Sequence, residues 1–270
     1  VGSLLVGLCF GKAIAYARGL PLLAVDHIEA HIRAASIDRD EPIPHPALSL
    51  VVSGGHTSLF LMKEEARYEL IGKTRDDAAG EAYDKVAKHL GLGYPGGPIL
   101  DRLARAGDPK AVQFPIARIS DGAPDFSFSG LKTAVLRVMK RERMATVTEG
   151  EDPLERSDVL DLAAGFQEAV VETLVQKTEQ VARRHQVEAI LVSGGVAANS
   201  ALRERFDCLG KQIGVRVVFP SVTLSTDNAA MVAAAGYLKY SRNEFAELDL
   251  NADIELRLGE GPKRRSRRHR

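Results

Sequence analysis

Apolar residues recur along this chain with two alternating periods. Leu4, Leu5, Leu8, Cys9, Ala13 and Tyr16 hold helical spacing up to Gly19, after which Pro21-Leu22-Leu23-Ala24-Val25 reads as a short buried strand. Helical spacing returns from His27 to Ala35, and the Pro-rich Glu41-Pro42-Ile43-Pro44-His45-Pro46 marks a crossing between lobes. From Ala47 the pattern tightens into strands. Leu48 to Val52, a turn at Ser53-Gly54-Gly55-His56, and Thr57 to Met62 together predict a glycine-tipped hairpin. A helix is expected from Ala78 to Leu90, then an irregular Gly- and Pro-rich loop from Gly91 to Pro98, then a helix from Ile99 to Ala106.

The second half continues the alternation. Ser157 to His185 reads as one long helix with Leu160, Ala163, Ala164, Val170, Val171, Leu174 and Val181 near one stripe, weakened at Gly165. Ala189-Ile190-Leu191-Val192 is a buried strand feeding Ser193-Gly194-Gly195-Val196-Ala197-Ala198-Asn199 and a helix through Arg205. Val215 to Phe219 reads as a strand and Asn228 to Tyr240 as a helix rich in small residues. Helix and strand in alternation predict an α/β fold. One phrase repeats: Val-Ser-Gly-Gly closes a strand at Val52 to Gly55 and again at Val192 to Gly195.

Composition narrows the class. With 270 residues and 45% apolar content the chain is long enough to bury about three-quarters of its unfolded surface, which excludes disorder as its main state. Its two cysteines, Cys9 and Cys208, lie far apart, so a disulfide scaffold and a cysteine metal site are both unsupported and a cytoplasmic location is expected. Lys12, Arg18 and Pro21 interrupt the apolar opening well short of the roughly 18 residues a membrane span needs. No membrane association is expected. The chain opens on Val with no polar leader, so it is expected to be cut at its front. Lysine plus arginine balance aspartate plus glutamate at 36 each, but six basic residues crowd the last eight positions and leave the body acidic.

Several residues could carry chemistry. A strand ending in Ser-Gly-Gly lets backbone N–H groups converge into an anion nest, and at the second copy a helix N-terminus adds its dipole; an ordinary tight turn is the competing reading. His27-Ile28-Glu29-Ala30-His31 puts two imidazoles on one helix face with Glu29 pointing elsewhere. Such a face could hold a divalent metal if a distant carboxylate joined it, or be a solvated helix with two unrelated histidines. Asp227 stands where a helix begins and reads plainly as its N-cap. Asp76, Asp77, Glu81 and Asp84 read as solvent-facing.

Taken in order, Val25 to His31, Leu50 to Thr57, Asp76 to Lys85, Tyr94 to Pro98, Asp125 to Thr133, Ser193 to Asn199 and Ser225 to Asn228 resemble the motifs of the tRNA threonylcarbamoyladenosine transferase family. The resemblance runs from Val1 to about Arg257. It implies a two-lobed fold of the actin, Hsp70 and sugar-kinase type, its first lobe incomplete here. Residues 1–44 would be the remnant of that lobe, 45–225 the second lobe with both Ser-Gly-Gly loops, 226–257 a returning C-terminal helix and 258–270 a basic, disordered tail. Members move a threonylcarbamoyl group from threonylcarbamoyl-AMP to the exocyclic amine of the adenosine 3′ of the anticodon, in tRNAs reading codons that begin with A.

By motif, His27, His31 and Asp227 match the metal ligands, with Fe(II) ahead of Zn(II) as the single divalent cation. Val51, Val52, Ser53, Gly54, Gly55, Asp84, Gly97 and Asn199 match adenylate-binding positions, and Asp101 a further contact found in many relatives. No catalytic residue is expected beyond these ligands. The family also implies helper proteins, a dimerising paralogue and a small ATPase. Asp26, Ala30 and Ala229 depart from common family residues beside the ligands. Two alternatives remain at this level. One is a metallopeptidase, whose H-E-x-x-H motif H-x-E-x-H resembles, the histidines equally far apart but the glutamate one position later. The other is a truncated, non-catalytic nucleotide-binding or scaffold paralogue.

Overall fold

In the computed structural model, which describes residues 2–117, 119, 121–253 and 258–259, five strands form one sheet. They are β1 (Ala47–Val52), β2 (Thr57–Glu64), β3 (Arg67–Lys73), β4 (Ala189–Ser193) and β5 (Arg216–Val218), in the order β3-β2-β1-β4-β5. β1, β2 and β3 make an antiparallel meander, while β1–β4 and β4–β5 are parallel. β1 is buried at all six positions, as expected for a strand covered on both faces. The basic tail expected from residue 258 onward lies, apart from residues 258 and 259, outside the described residues.

Helices cover the two faces unequally. Nine are present among the described residues: α1 (Gly2–Arg18), α2 (His27–Ala34), α3 (Ala79–Leu90), α4 (Gly96–Ala104), α5 (Ser129–Arg141), α6 (Ser157–His185), α7 (Ser200–Ile213), α8 (Val222–Ser225) and α9 (Ala229–Ser241). Leu48, Leu50 and Val52 of β1 enter the main core with Tyr83 of α3, Leu100 of α4, Val135 of α5, Phe166 of α6 and Phe206 of α7. Ala47 and Val51 face the other way, onto Ile32 of α2. The opposite side of α2, Ala30 and Ala34, packs on Met231 and Ala235 of α9. α2 is therefore sandwiched between sheet and α9, and small residues on that seam let the two helices approach closely.

Local signals account for some helix starts. Asp26 Oδ1 accepts from the N–H groups of Ile28 at 2.8 Å and Glu29 at 3.0 Å, capping α2. Asn228, not Asp227, caps α9: its Oδ1 accepts from Met231 N at 2.8 Å. That corrects the plain reading of Asp227, whose carboxylate is left free for other work.

Four further starts are satisfied by side chains distant in sequence, and here the sequence reading needs correction. Thr57 Oγ1 accepts from Ala79 N at 2.9 Å, at the first residue of α3. Asp84 Oδ1 accepts from Gly96 N at 2.8 Å, so α4 begins at Gly96 inside a stretch expected to be irregular up to Pro98. Asp76 accepts from the N–H groups of Phe128 and Ser129 and from the hydroxyls of Ser127 and Ser129, starting α5, a helix that the apolar spacing alone does not predict. Asp101 accepts from Ser200 N and Oγ beside the start of α7, which runs on to Ile213. Asp76, Asp77 and Asp84 are thus not simply solvent-facing; Asp77 pairs with Lys85 at 2.6 Å. Burial works against ionising Asp76, but its four donors outweigh that and hold its carboxyl below the usual range.

Two other expectations change. The segment 21–25 makes a single bridge, Leu22 to Ala246, rather than a strand, because it meets no extended neighbour to pair with among the described residues. β3 is missing from the sequence reading because Arg67-Tyr68-Glu69-Leu70 alternates polar with apolar for only four residues before Ile71-Gly72 breaks the period; as an edge strand paired on one side only, it can carry Arg67 and Glu69 facing solvent.

Gly165 in α6 has a packing role rather than a merely weakening one, since a Cβ there would collide with the carbonyl oxygen of Val112. We expect Gly165→Ala to destabilise by about 1–3 kcal/mol through overpacking, although helix propensity alone would favour alanine by about 1 kcal/mol; urea midpoints decide the sign. In the same assay with chelator present, Asn228→Ala should cost about 1 kcal/mol, while Asp227→Ala should stay within about 0.5 kcal/mol. Equal losses would return the cap to Asp227.

Candidate active site

α2 sets His27 and His31 one turn apart on the face turned toward the segment before α9. Their ring centroids are 4.7 Å apart at 80°. Asp227 Oδ1 lies 3.7 Å from His27 Nε2 and 3.1 Å from His31 Nε2, and one donor atom from each residue falls within 4.8 Å of the other two. Among the described residues no other such group of histidine, cysteine, aspartate and glutamate occurs. The rings are unequal: His31 is fully buried, whereas His27 is half exposed.

Neither nitrogen of His31 is hydrogen-bonded. Nε2 approaches Asp227 Oδ1 to 3.1 Å without meeting the geometry of a hydrogen bond. An orphaned buried nitrogen costs about 1–3 kcal/mol unless something takes its lone pair. Burial holds the His31 pKa below the ordinary histidine value, nearby His27 lowers it further, and Asp227 opposes both. A neutral imidazole is the ligating form. Two imidazole nitrogens and one carboxylate oxygen suit Fe(II) or Zn(II), and these residues fit such a cation.

Glu29, the middle of H-x-E-x-H, points away from this trio as expected. It is buried, and its Oε2 lies 3.5 Å from Lys239 Nζ on α9. The pair braces the helix that carries the imidazoles against the helix that begins just after Asp227. The burial of α2 removes the reading of a solvated helix with unrelated histidines.

The Ser-Gly-Gly loops leave β1 and β4 side by side. The parallel register sets Val51 opposite Ser193, at the carboxyl ends of both strands, where ligands of α/β sheets commonly sit. Gly194 has φ of 92° and lies so close to the Val52 carbonyl that a Cβ would collide with it. In the first loop Ser53 N donates to His56 O at 2.8 Å and His56 N to Ser53 Oγ at 3.1 Å, leaving Gly54 and Gly55 exposed. Gly80 of α3 donates to Ser53 O at 3.2 Å.

Two residues to which the sequence pattern assigns no role tie these parts together. The His56 ring lies 6.2 Å from the His27 ring, joining the first loop to the trio. His56 is reached by solvent yet crowded enough that desolvation lowers its pKa, with His27 adding. Arg203 of α7 donates to Ala197 O at 2.7 Å in the second loop and to Pro220 O at 2.8 Å and Ser225 Oγ at 3.3 Å ahead of Asp227. Its guanidinium sits 4.7 Å above the Phe219 ring, and desolvation lowers its pKa. Arg203, one of two arginines in an amphipathic helix, gives no local signal of such bridging.

The remaining candidates fall into two groups. Val51 and Val52 are fully buried, their side chains in the two cores, so only their backbone could meet a ligand. Ser53 is half-buried, and Gly97 has open space where a Cβ would stand. Asp84 uses Oδ1 on Gly96 and keeps Oδ2 open. Asp101 and Asn199 are buried and engaged. Asp101 also accepts from Arg105 at 3.0 Å, and Asn199 caps α7 through Leu202 N at 2.9 Å while its Nδ2 donates to Gln167 Oε1 at 2.7 Å. A 3.4 Å contact from Asn199 Nδ2 to the Tyr83 hydroxyl links α7 back to α3.

Comparison with known proteins places this arrangement. The family description tRNA N6-adenosine threonylcarbamoyltransferase matches residues 1–234. The chain is 47% identical over 292 residues to the protein of that name from Koribacter versatilis, covering 95% of this chain and 77% of the relative. It is 47% identical over 260 residues to the one from Clostridium botulinum, covering 96% and 74%, and 49% identical over 258 residues to the one from Moorella thermoacetica, covering 96% and 73%. Among solved structures, HypF of T. kodakarensis superposes with a TM-score of 0.61 at 14% identity, covering 84% of this chain and 38% of that one; this likeness concerns the fold alone. The expected α/β class stands, and the chain belongs to the tRNA N6-adenosine threonylcarbamoyltransferase family.

Proposed function

We propose that this chain transfers a threonylcarbamoyl group from threonylcarbamoyl-AMP to the exocyclic amine of the adenosine 3′ of the anticodon, in tRNAs reading codons that begin with A. The observation that carries the reading is the meeting of His27 and His31 with Asp227, from opposite ends of the chain, beside the tip of the first Ser-Gly-Gly loop. Family membership supports the acceptor and the group transferred.

His27, His31 and Asp227 would hold one divalent cation, Fe(II) ahead of Zn(II). When bound, it supplies Lewis-acid stabilisation of charge developing at the carbamoyl carbonyl. The chain's own residues do the rest by positioning. Backbone N–H groups of the two loops receive the adenylate phosphate, and Gly54, Gly55 and Gly195 keep side chains out of its way. The open Oδ2 of Asp84 accepts a ribose hydroxyl. The adenine amine attacks the carbonyl carbon; a C–N bond forms, the bond from that carbon to the phosphate oxygen breaks, AMP leaves with the electron pair, and the amine gives up a proton. A weak nucleophile gains most from being held in place.

Helper proteins, a dimerising paralogue and a small ATPase, belong to the same proposal. No described helix is long and apolar enough to cross a membrane. Peptidase chemistry through the H-x-E-x-H motif would need Glu29 at the cation, and the Glu29 side chain is buried against Lys239 instead.

The test supplies the 270-residue chain with threonylcarbamoyl-AMP, tRNA and the helper proteins and measures modified adenosine. His27→Ala and Asp227→Ala should abolish product. Each should also weaken Co(II) binding, followed by its visible absorption, by more than the roughly 10–100-fold that removing a supporting hydrogen bond costs. Full activity in both variants would refute the assignment.

A further inference from the structure

α5 and the end of α3 form a basic face whose charges are left unsatisfied. From Lys132 to Arg143 the chain carries five basic residues, Lys132, Arg137, Lys140, Arg141 and Arg143, against one acidic residue, Glu142. Leu131, Val135, Val138 and Met139 turn into the core, so Arg137 and Lys140 stand on the solvent side, with Lys132 at the flank toward α3. Lys88 and His89 close α3, and the carbonyl of Leu90 accepts from Val147 N at 2.8 Å, tying the segment after α5 back to that helix end. Lys132 and Lys88 lie near enough to His89 to add to the desolvation that lowers its pKa.

Neighbouring charges behave differently. Lys85 on the same α3 pairs with Asp77 at 2.6 Å and Glu81 at 2.9 Å, and Arg141 pairs with Glu142 at 2.7 Å. Among the described residues, Lys88, Lys132, Arg137, Lys140 and Arg143 make no ion pair and no side-chain hydrogen bond. In a chain with equal numbers of acidic and basic side chains, so many uncompensated cations on two packed helices mark a concentrated positive field.

The loop after α3 adds a second feature. Tyr94 is 83% exposed. It stands two residues before Gly96, which Asp84 holds at the edge of the candidate adenylate pocket. A bare ring at a pocket rim, beside a helix face of free cations, matches the two needs of an RNA loop: phosphate neutralisation and a surface on which an unstacked base can rest.

We propose that the face formed by Lys88, Lys132, Arg137, Lys140 and Arg143 docks the phosphate backbone of the tRNA acceptor, with Tyr94 stacking a base at the pocket rim. The proposal rests on the tRNA reading above and gives it a surface. The 13-residue α5 is about 20 Å long at 1.5 Å per residue, room for several successive phosphates.

The experiment measures binding of an unmodified tRNA to the full chain across a salt series. The combined variant Lys88→Gln, Arg137→Gln, Lys140→Gln and Arg143→Gln should lower the slope of log affinity against log salt by about one for each phosphate no longer neutralised, up to about four, and weaken binding at least roughly tenfold at low salt. Tyr94→Ala should weaken binding with the slope unchanged. Arg184→Gln with Lys211→Gln, exposed cations elsewhere, should change neither. Should the combined variant misfold, protection of Lys88 and Lys140 from acetylation by bound tRNA, compared with Lys211, reads the same docking in the unaltered chain.

An unchanged slope together with equal protection of all three lysines overturns the docking surface. If transfer activity on the same tRNA persists in that case, the proposed function stands without it. Polyglutamate competing as strongly as tRNA would also overturn it, in favour of an acidic protein partner.

Discussion

The parallel pairing of β1 with β4 is the constraint on which the rest of the site depends. It sets Val51 against Ser193, so two loops of the same sequence leave the sheet next to each other, and the left-handed Gly194 lets the second pass directly over the Val52 carbonyl. The same β1 serves both faces. Val52 enters the core under α3 to α7, and Val51 packs on Ile32 of α2. One strand thus fixes the height of the phosphate-facing loops and of the helix that carries both imidazoles. A register slip of one residue would reverse its faces and separate the two halves of the site.

α2 shows how burial and polarity are reconciled around those imidazoles. Ile32 seated on the sheet gains about 1.5–3 kcal/mol, comparable to the roughly 1–3 kcal/mol that the orphaned nitrogens of His31 cost. The helix therefore tolerates a buried donor set without profiting from it. Its position is held by other means: the Asp26 cap at one end, the Glu29–Lys239 contact, and the Ala30 and Ala34 seam against α9. Arg203 does the corresponding task for the carboxylate by anchoring the segment before Asp227 to the second loop.

Much of this is legible in the sequence wherever the signal is local. The hairpin, the long helix α6, the strand β4 and the shared face of His27 and His31 follow from period and turn chemistry. What cannot be read is distance-dependent. Asp227 and Asn228 are equally good caps by composition, and only the fold chooses Asn228 and releases its neighbour. Asp76 and Asp84 look like surface acids until the helix ends they meet, 52 and 12 positions away along the chain, are brought to them, and nothing local ties Asp101 to Ser200, 99 positions away. His56 and Arg203 gain meaning only from the elements that surround them.

Those borrowed caps bear on how the molecule comes apart. α3, α4, α5 and α7 each have an early N–H held by a side chain from elsewhere: Thr57, Asp84, Asp76 and Asp101. Loosening α3 therefore frees Gly96 N at the start of α4, and loosening α4 removes the Asp101 contacts at Ser200 that supplement the Asn199 cap of α7. Helices whose starts are joined in this way are coupled, and the first-turn amides of α3, α4 and α7 should exchange with solvent together more than one by one.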